Sequence, residues 1–124
     1  MSADPDAMRT RFKEIAAERL RELNQVLLLL EQGETDTRLV DKAMREVHTL
    51  KGESRMLGLG ALNRVAHRTE DLLLYAKKAG RLEDESWLQH VYAGFDLIAD
   101  LLDEDDAPAA DDDRARRFAE HAEQ

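Results

Sequence analysis

The 124-residue chain has no cysteine, so it can form neither disulfides nor thiolate metal sites, and a reducing compartment fits. It has only two prolines and six glycines, and β-branched residues are few. With Glu, Leu, Ala and Arg dominant, this composition points to an all-α protein. Long apolar runs are also missing. The longest, Val26 to Leu30, falls far short of the roughly 20 residues a membrane-spanning helix needs. The N-terminus is acidic and carries no apolar stretch, so no secretory signal is expected. Cationic surface is scarce: a net charge of −9 argues against nucleic acid as a partner. There is no glycine-rich nucleotide loop and no Ser–His–Asp pattern, which argues against an enzyme with its own ATP site. We expect one cytoplasmic domain, large enough for a real core and independent of the membrane.

What is present is helical periodicity. Asp4 reads as an N-cap with Pro5 at the first helical position. Met8, Phe12, Ile15, Ala16, Leu20, Leu23, Leu27 and Leu30 then recur at steps of three and four, up to a stop at Gly33. Leu27 to Leu30 is wider than one stripe, and burial between two neighbouring helices is preferred to a dimer face. A second helix, capped by Thr35 or Asp36, runs to about Leu57, with Val40, Ala43, Val47, Leu50, Ser54 and Leu57 on its apolar side. Gly58 and Gly60 bracket a tight turn. A third helix follows, with Leu62, Ala66, Thr69, Leu73 and Ala76 inward, ending at Gly80. Asp84 or Ser86 opens a fourth, with Leu88, Val91, Phe95, Ile98 and Leu102 in the core and Trp87 and Tyr92 partly exposed. Four such helices with short loops predict an up-down-up-down four-helix bundle over residues 1–103. Seven carboxylates crowd residues 103–113, so 104–113 reads as a solvated acidic linker. Residues 114–124 read as a short fifth, C-terminal helix, weakly docked through Phe118 and Ala115 or Ala122.

The stretch from Val47 to Gly52 stands out. At 100° per residue, Lys51 lies about 60° to one side of His48 and Gly52 about 40° to the other. Arg55 returns to within about 20° of His48, and Arg45 lies about one turn before it. The apolar stripe of the same helix centres roughly 130° away. His48 is thus placed on the flank or outside, among three cations and next to a missing side chain. A neutral imidazole nitrogen is a good nucleophile toward phosphorus, and flanking cations offset the charge of an arriving phosphoryl group. Gly52 would let a partner approach the helix closely. On the third helix Asn63, His67, Glu70 and Leu74 form one row able to face the second. A carboxylate accepting from Nδ1–H of His48 would leave Nε2 as the nucleophile, and the helical faces permit this. Asn63 itself reads as a surface polar residue, and His67 stays open between network member and surface residue. Paired Glu-x-x-His motifs facing a bundle core would mark a di-metal site. No core position carries Glu or His, so no metal is expected.

His48-Thr49-Leu50-Lys51-Gly52, then Leu57-Gly58, Leu62, His67 and Glu70-Asp71-Leu72-Leu73, resembles a histidine-containing phosphotransfer (HPt) domain. In particular it is similar to the N-terminal P1-type domain of chemotaxis-family (CheA-like) histidine kinases, over about residues 8–103. The resemblance implies that His48 is the phosphoacceptor and Glu70 its hydrogen-bond partner. Lys51 and His67 would belong to the same polar network, and Arg45, Gly52 and Arg55 to the docking surface. It implies two partners, the ATP-bound catalytic domain of a histidine kinase and the receiver domain of a response regulator. ATP and Mg²⁺ would sit on those partners, with no cofactor in this domain. The isolated domain is expected to be a monomer and an N-terminal piece of a multidomain kinase. Glu53 departs from the pattern, since relatives usually carry a small residue there. It points about 140° from His48, so it should tune partner choice rather than block chemistry. The competing reading is a helical-bundle docking or scaffold module that is never phosphorylated. Retention of His48, Lys51 and Gly52 argues against it.

Overall fold

In a computed structural model, residues 4–33, 37–79, 85–104 and 108–121 are described. Helix α1 spans Pro5–Glu31, and the Asp4 carboxylate caps it by accepting the Asp6 N–H at 3.0 Å. Gly33, at φ +98°, takes the left-handed conformation that stops the chain there. Helix α2 spans Thr37–Met56 and ends at Gly58, φ +72°. The Leu59 N–H returns to the Ser54 carbonyl at 2.9 Å and the Gly58 N–H to the Arg55 carbonyl at 3.2 Å. This paired closure satisfies the last carbonyls of the helix. The expected features at Thr35, Asp36, Gly80, Asp84 and Ala122 lie outside the described residues.

Helix α3, Gly60–Ala79, follows Leu59, which has no side-chain oxygen to cap it. The N–H of Ala61 has no partner within its own helix, and the Pro108 carbonyl accepts it at 2.9 Å. Helix α4 spans Glu85–Asp103. Helix α5, Asp113–His121, starts at Asp112, whose carboxylate accepts the N–H groups of Arg114 and Ala115.

Helix α2 packs on α3, α3 on α4, α4 on α1 and α1 on α2, closing a four-helix bundle with α5 laid across α3 and α4. Every core position read from the periodicity of α4 is buried, as is every one of α3. On α2, Val40, Ala43, Val47, Leu50 and Ser54 are buried and Leu57 is half-buried. Each fully buried Leu, Val or Phe contributes about 1.5–3 kcal/mol, so this apolar layer outweighs the surface ion pairs. Tyr92 of α4 ties to α1 by donating to Glu31 at 2.9 Å. Burial and then the Glu31 carboxylate push its phenol up to about 12.

Three expectations need correction. Trp87 is buried, because its indole N–H finds the Leu72 carbonyl at 2.7 Å and the ring therefore turns inward. Met8 and Ile15 of α1 are exposed, at 45% and 36%. With Phe12, Met56 and Leu57 they line an open groove between α1 and the end of α2, which the neighbouring helices do not cover. Leu28 and Leu29 are exposed while Val26, Leu27 and Leu30 are buried, so the wide leucine run does not find two covering neighbours. At the end of the acidic run the Pro108 carbonyl serves α3 and the Ala110 carbonyl accepts from Arg64 at 2.9 Å. Fully buried Ala115 anchors α5, and Phe118 lies over Gly94.

Candidate functional site

The α2–α3 contact builds the site. The apolar stripe of α2 turns Val47 and Leu50 into the core and leaves His48, between them, on the outside with its side chain 70% exposed. The inward stripe of α3 passes through buried Ala66, Thr69 and Leu73. Glu70, next to Thr69, is carried to the edge of that stripe and toward α2. Its Oε2 lies 2.7 Å from His48 Nδ1, and its Oε1 accepts from Lys51 Nζ at 2.9 Å. One carboxylate thus ties together two α2 residues a single turn apart.

Burial pushes the Glu70 carboxyl up, but the hydrogen bonds from Lys51 and then His48, with their charges, hold it below its ordinary value. An ionised carboxylate only accepts hydrogen bonds, so the proton of a neutral His48 ring sits on Nδ1. The lone pair is then on Nε2, the nitrogen away from Glu70. The arrangement presents an oriented, exposed nucleophile with a cation one turn away.

The remaining residues singled out in the sequence fall around this centre. Gly52 is exposed, and a Cβ placed on it would meet no atom within 4 Å. Arg45 and Arg55 are exposed and form no ion pair among the described residues. His67 is exposed one turn before Glu70 and makes no contact with the carboxylate, His48 or Lys51 within hydrogen-bonding distance. Glu53 faces the other way, 3.4 Å from the guanidinium of Arg19, which also reaches Glu46 at 3.6 Å. Among the described residues no three His, Cys, Asp or Glu side chains are grouped to hold a metal ion. No described helix is long and apolar enough to cross a membrane.

Two contacts were missed in the sequence. The Asn63 amide crosses to α2 and donates to the Lys51 carbonyl at 2.9 Å. That carbonyl also accepts from Ser54 Oγ at 2.9 Å. A serine on the buried stripe of α2 was the available signal, because a buried hydroxyl must find an acceptor. Nothing in the sequence singled out Asn63 beyond its place in the row.

Comparison with known proteins gives a consistent picture. A family model described as Hpt domain matches residues 7–111. The gliding motility regulatory protein of Myxococcus xanthus is 38% identical over 91 residues, which is 73% of this chain and 12% of that protein. The chemotaxis protein CheA of Bacillus subtilis is 31% identical over 91 residues, 73% of this chain and 14% of that protein. The chemotaxis protein CheA of Rhizobium meliloti is 30% identical over 122 residues, 97% of this chain and 16% of that protein. The chain therefore spans about one-eighth of the length of the curated relatives it matches. No solved structure matches.

Proposed function

The chain belongs to the Hpt domain family of histidine phosphotransfer domains, and from that premise we propose that His48 is its phosphoacceptor. Nε2 attacks the γ-phosphorus of ATP held by the catalytic domain of a histidine kinase. The N–P bond forms as the bond to the β-phosphate oxygen breaks, and ADP leaves. The ring, still protonated at Nδ1, becomes cationic, and the Glu70 carboxylate 2.7 Å away stabilises that charge. In the second step a receiver-domain aspartate attacks the phosphorus, the N–P bond breaks, and the imidazole leaves as the neutral ring. Mg²⁺ and the acid–base groups of that step belong to the receiver. Lys51 offsets phosphoryl charge and orients Glu70, while Arg45, Gly52 and Arg55 form the surface on which both partners dock. His67 flanks that surface.

The observation that carries this reading is the exposed His48 ring with its Nδ1 held on a carboxylate that Lys51 keeps ionised. Sequence likeness to chemotaxis and gliding-motility proteins supports placing the chain in a chemotaxis-type kinase, as one domain of a longer protein. On this reading the working compartment is the cytoplasm, the isolated domain is a monomer, and residues 1–103, 104–113 and 114–124 are bundle, acidic linker and C-terminal helix.

The test is a two-stage transfer. The chain is incubated with the catalytic region of a CheA-type kinase and γ-labelled ATP, then a receiver domain is added. The wild type should take up label and lose it to the receiver, and His48→Gln should stay unlabelled. Label retained by His48→Gln, or none on the wild type, contradicts the proposal and favours a docking module without chemistry.

A further inference from the structure

The bond between His48 and Glu70 joins two helices, so its length depends on how they are aligned along their axes. A helix rises about 1.5 Å per residue, and a slip of even one residue would break a 2.7 Å contact. The apolar layer between α2 and α3 packs closely and gives rigidity, but it is non-directional and sets that register less sharply than a polar contact does. Directional polar contacts to the main chain hold it better, because they do not relax by side-chain rotation at both ends. The Asn63 amide makes such a contact, reaching from α3 to the Lys51 carbonyl at 2.9 Å.

The place of this contact matters. Lys51 is gripped twice by α3: its ammonium by Glu70 and its carbonyl by Asn63, two turns earlier on the same row. The Lys51 carbonyl is steadied within its own helix by Ser54, which is fully buried. The first turn of α3, which carries Asn63, is itself fixed from outside by the Pro108 carbonyl on Ala61 N–H and by Arg64 on Ala110. Asn63 is half-buried, and its reach ends on backbone rather than on a mobile side chain.

We infer that Asn63 is a positioning residue: its bond to the Lys51 carbonyl sets the α2–α3 register that holds Glu70 against Nδ1 of His48. This rests on the phosphoacceptor reading of His48, to which it adds the device that keeps the nucleophile oriented.

The test compares Asn63→Ala, Asn63→Gln and Ser54→Ala in the whole chain. Two quantities are read: the tautomer of the neutral His48 ring, by ¹⁵N NMR, and the rate of phosphorylation by phosphoramidate, which needs no partner. In Asn63→Ala the Nε2–H tautomer should gain population and phosphorylation should slow roughly three- to tenfold. Asn63→Gln keeps an amide donor and should recover part of both. Ser54→Ala, which breaks a bond within α2 alone, should lower the melting temperature while leaving the tautomer as in the wild type. Asn63→Ser is too short to reach the carbonyl, carries the same expectation as Asn63→Ala, and serves if the alanine variant does not fold. A wild-type tautomer and rate in Asn63→Ala or Asn63→Ser overturns the inference. So does a tautomer change in Ser54→Ala matching its loss of stability. If the wild type is not phosphorylated on His48, the phosphoacceptor reading fails instead, and the tautomer alone still decides the role of Asn63.

Discussion

Glu70 does two things with one carboxylate. It fixes which nitrogen of His48 carries the proton, and it neutralises Lys51 without using up the exposed face of the imidazole. Because its folded-state carboxyl lies below the ordinary value, it contributes stability that is fully present above the ordinary carboxylate range. That contribution is lost as the pH falls from that range through the lowered folded value. Melting curves in acid should therefore show the wild type losing stability over this window, and Glu70→Gln losing less of it. Equal acid sensitivity of the two would contradict the ion-pair account. Helical angles permit His48, Lys51 and Glu70 to meet, but it was the resemblance to the phosphotransfer pattern that singled the three out together. Asn63 was not legible in the sequence, since a helical wheel gives the face of an amide but not whether a carbonyl lies within 3 Å of it. Trp87 failed for a related reason, because its angle lies off the stripe while its large ring and N–H had a partner on α3.

Between elements, two glycines inside helices make opposite forecasts. Gly52 has open space where a side chain would go. Gly52→Ala should raise stability in urea unfolding by about 0.5–1 kcal/mol, the usual gain in a helix interior. The same variant should slow kinase- and receiver-dependent transfer while leaving phosphoramidate labelling near the wild-type rate, because only a partner needs the space. At Gly94 of α4 a Cβ would lie 2.5 Å from Thr69 Oγ1 and 2.9 Å from the Phe118 ring. Thr69 is fully buried and donates to the Val65 carbonyl at 2.8 Å, so it cannot simply swing away. Gly94→Ala should destabilise the chain by about 1–3 kcal/mol despite the better helix propensity. A stabilised Gly94→Ala would contradict the close packing of α3, α4 and α5. The four long helices were legible because their apolar residues keep a 3.6-residue period. The seat of α5 was not, because it depends on a Cβ missing from α4 and on backbone carbonyls at 108 and 110, which carry no side-chain signature.

On the scale of the whole molecule, the bundle is a holder for one imidazole. Its apolar interior supplies the rigidity, α2 and α3 present the ring and its carboxylate, and α5 with its preceding turn braces α3. The chain corresponds to only a small part of the length of the curated relatives it matches. The central claim is that this module carries the phosphoryl group on His48. Its most direct measurement is phosphorus NMR of the chain treated with phosphoramidate, beside His48→Gln. The account predicts one acid-labile, base-stable phosphoramidate resonance in the wild type and none in the variant. The same resonance in both proteins, or in neither, would contradict it.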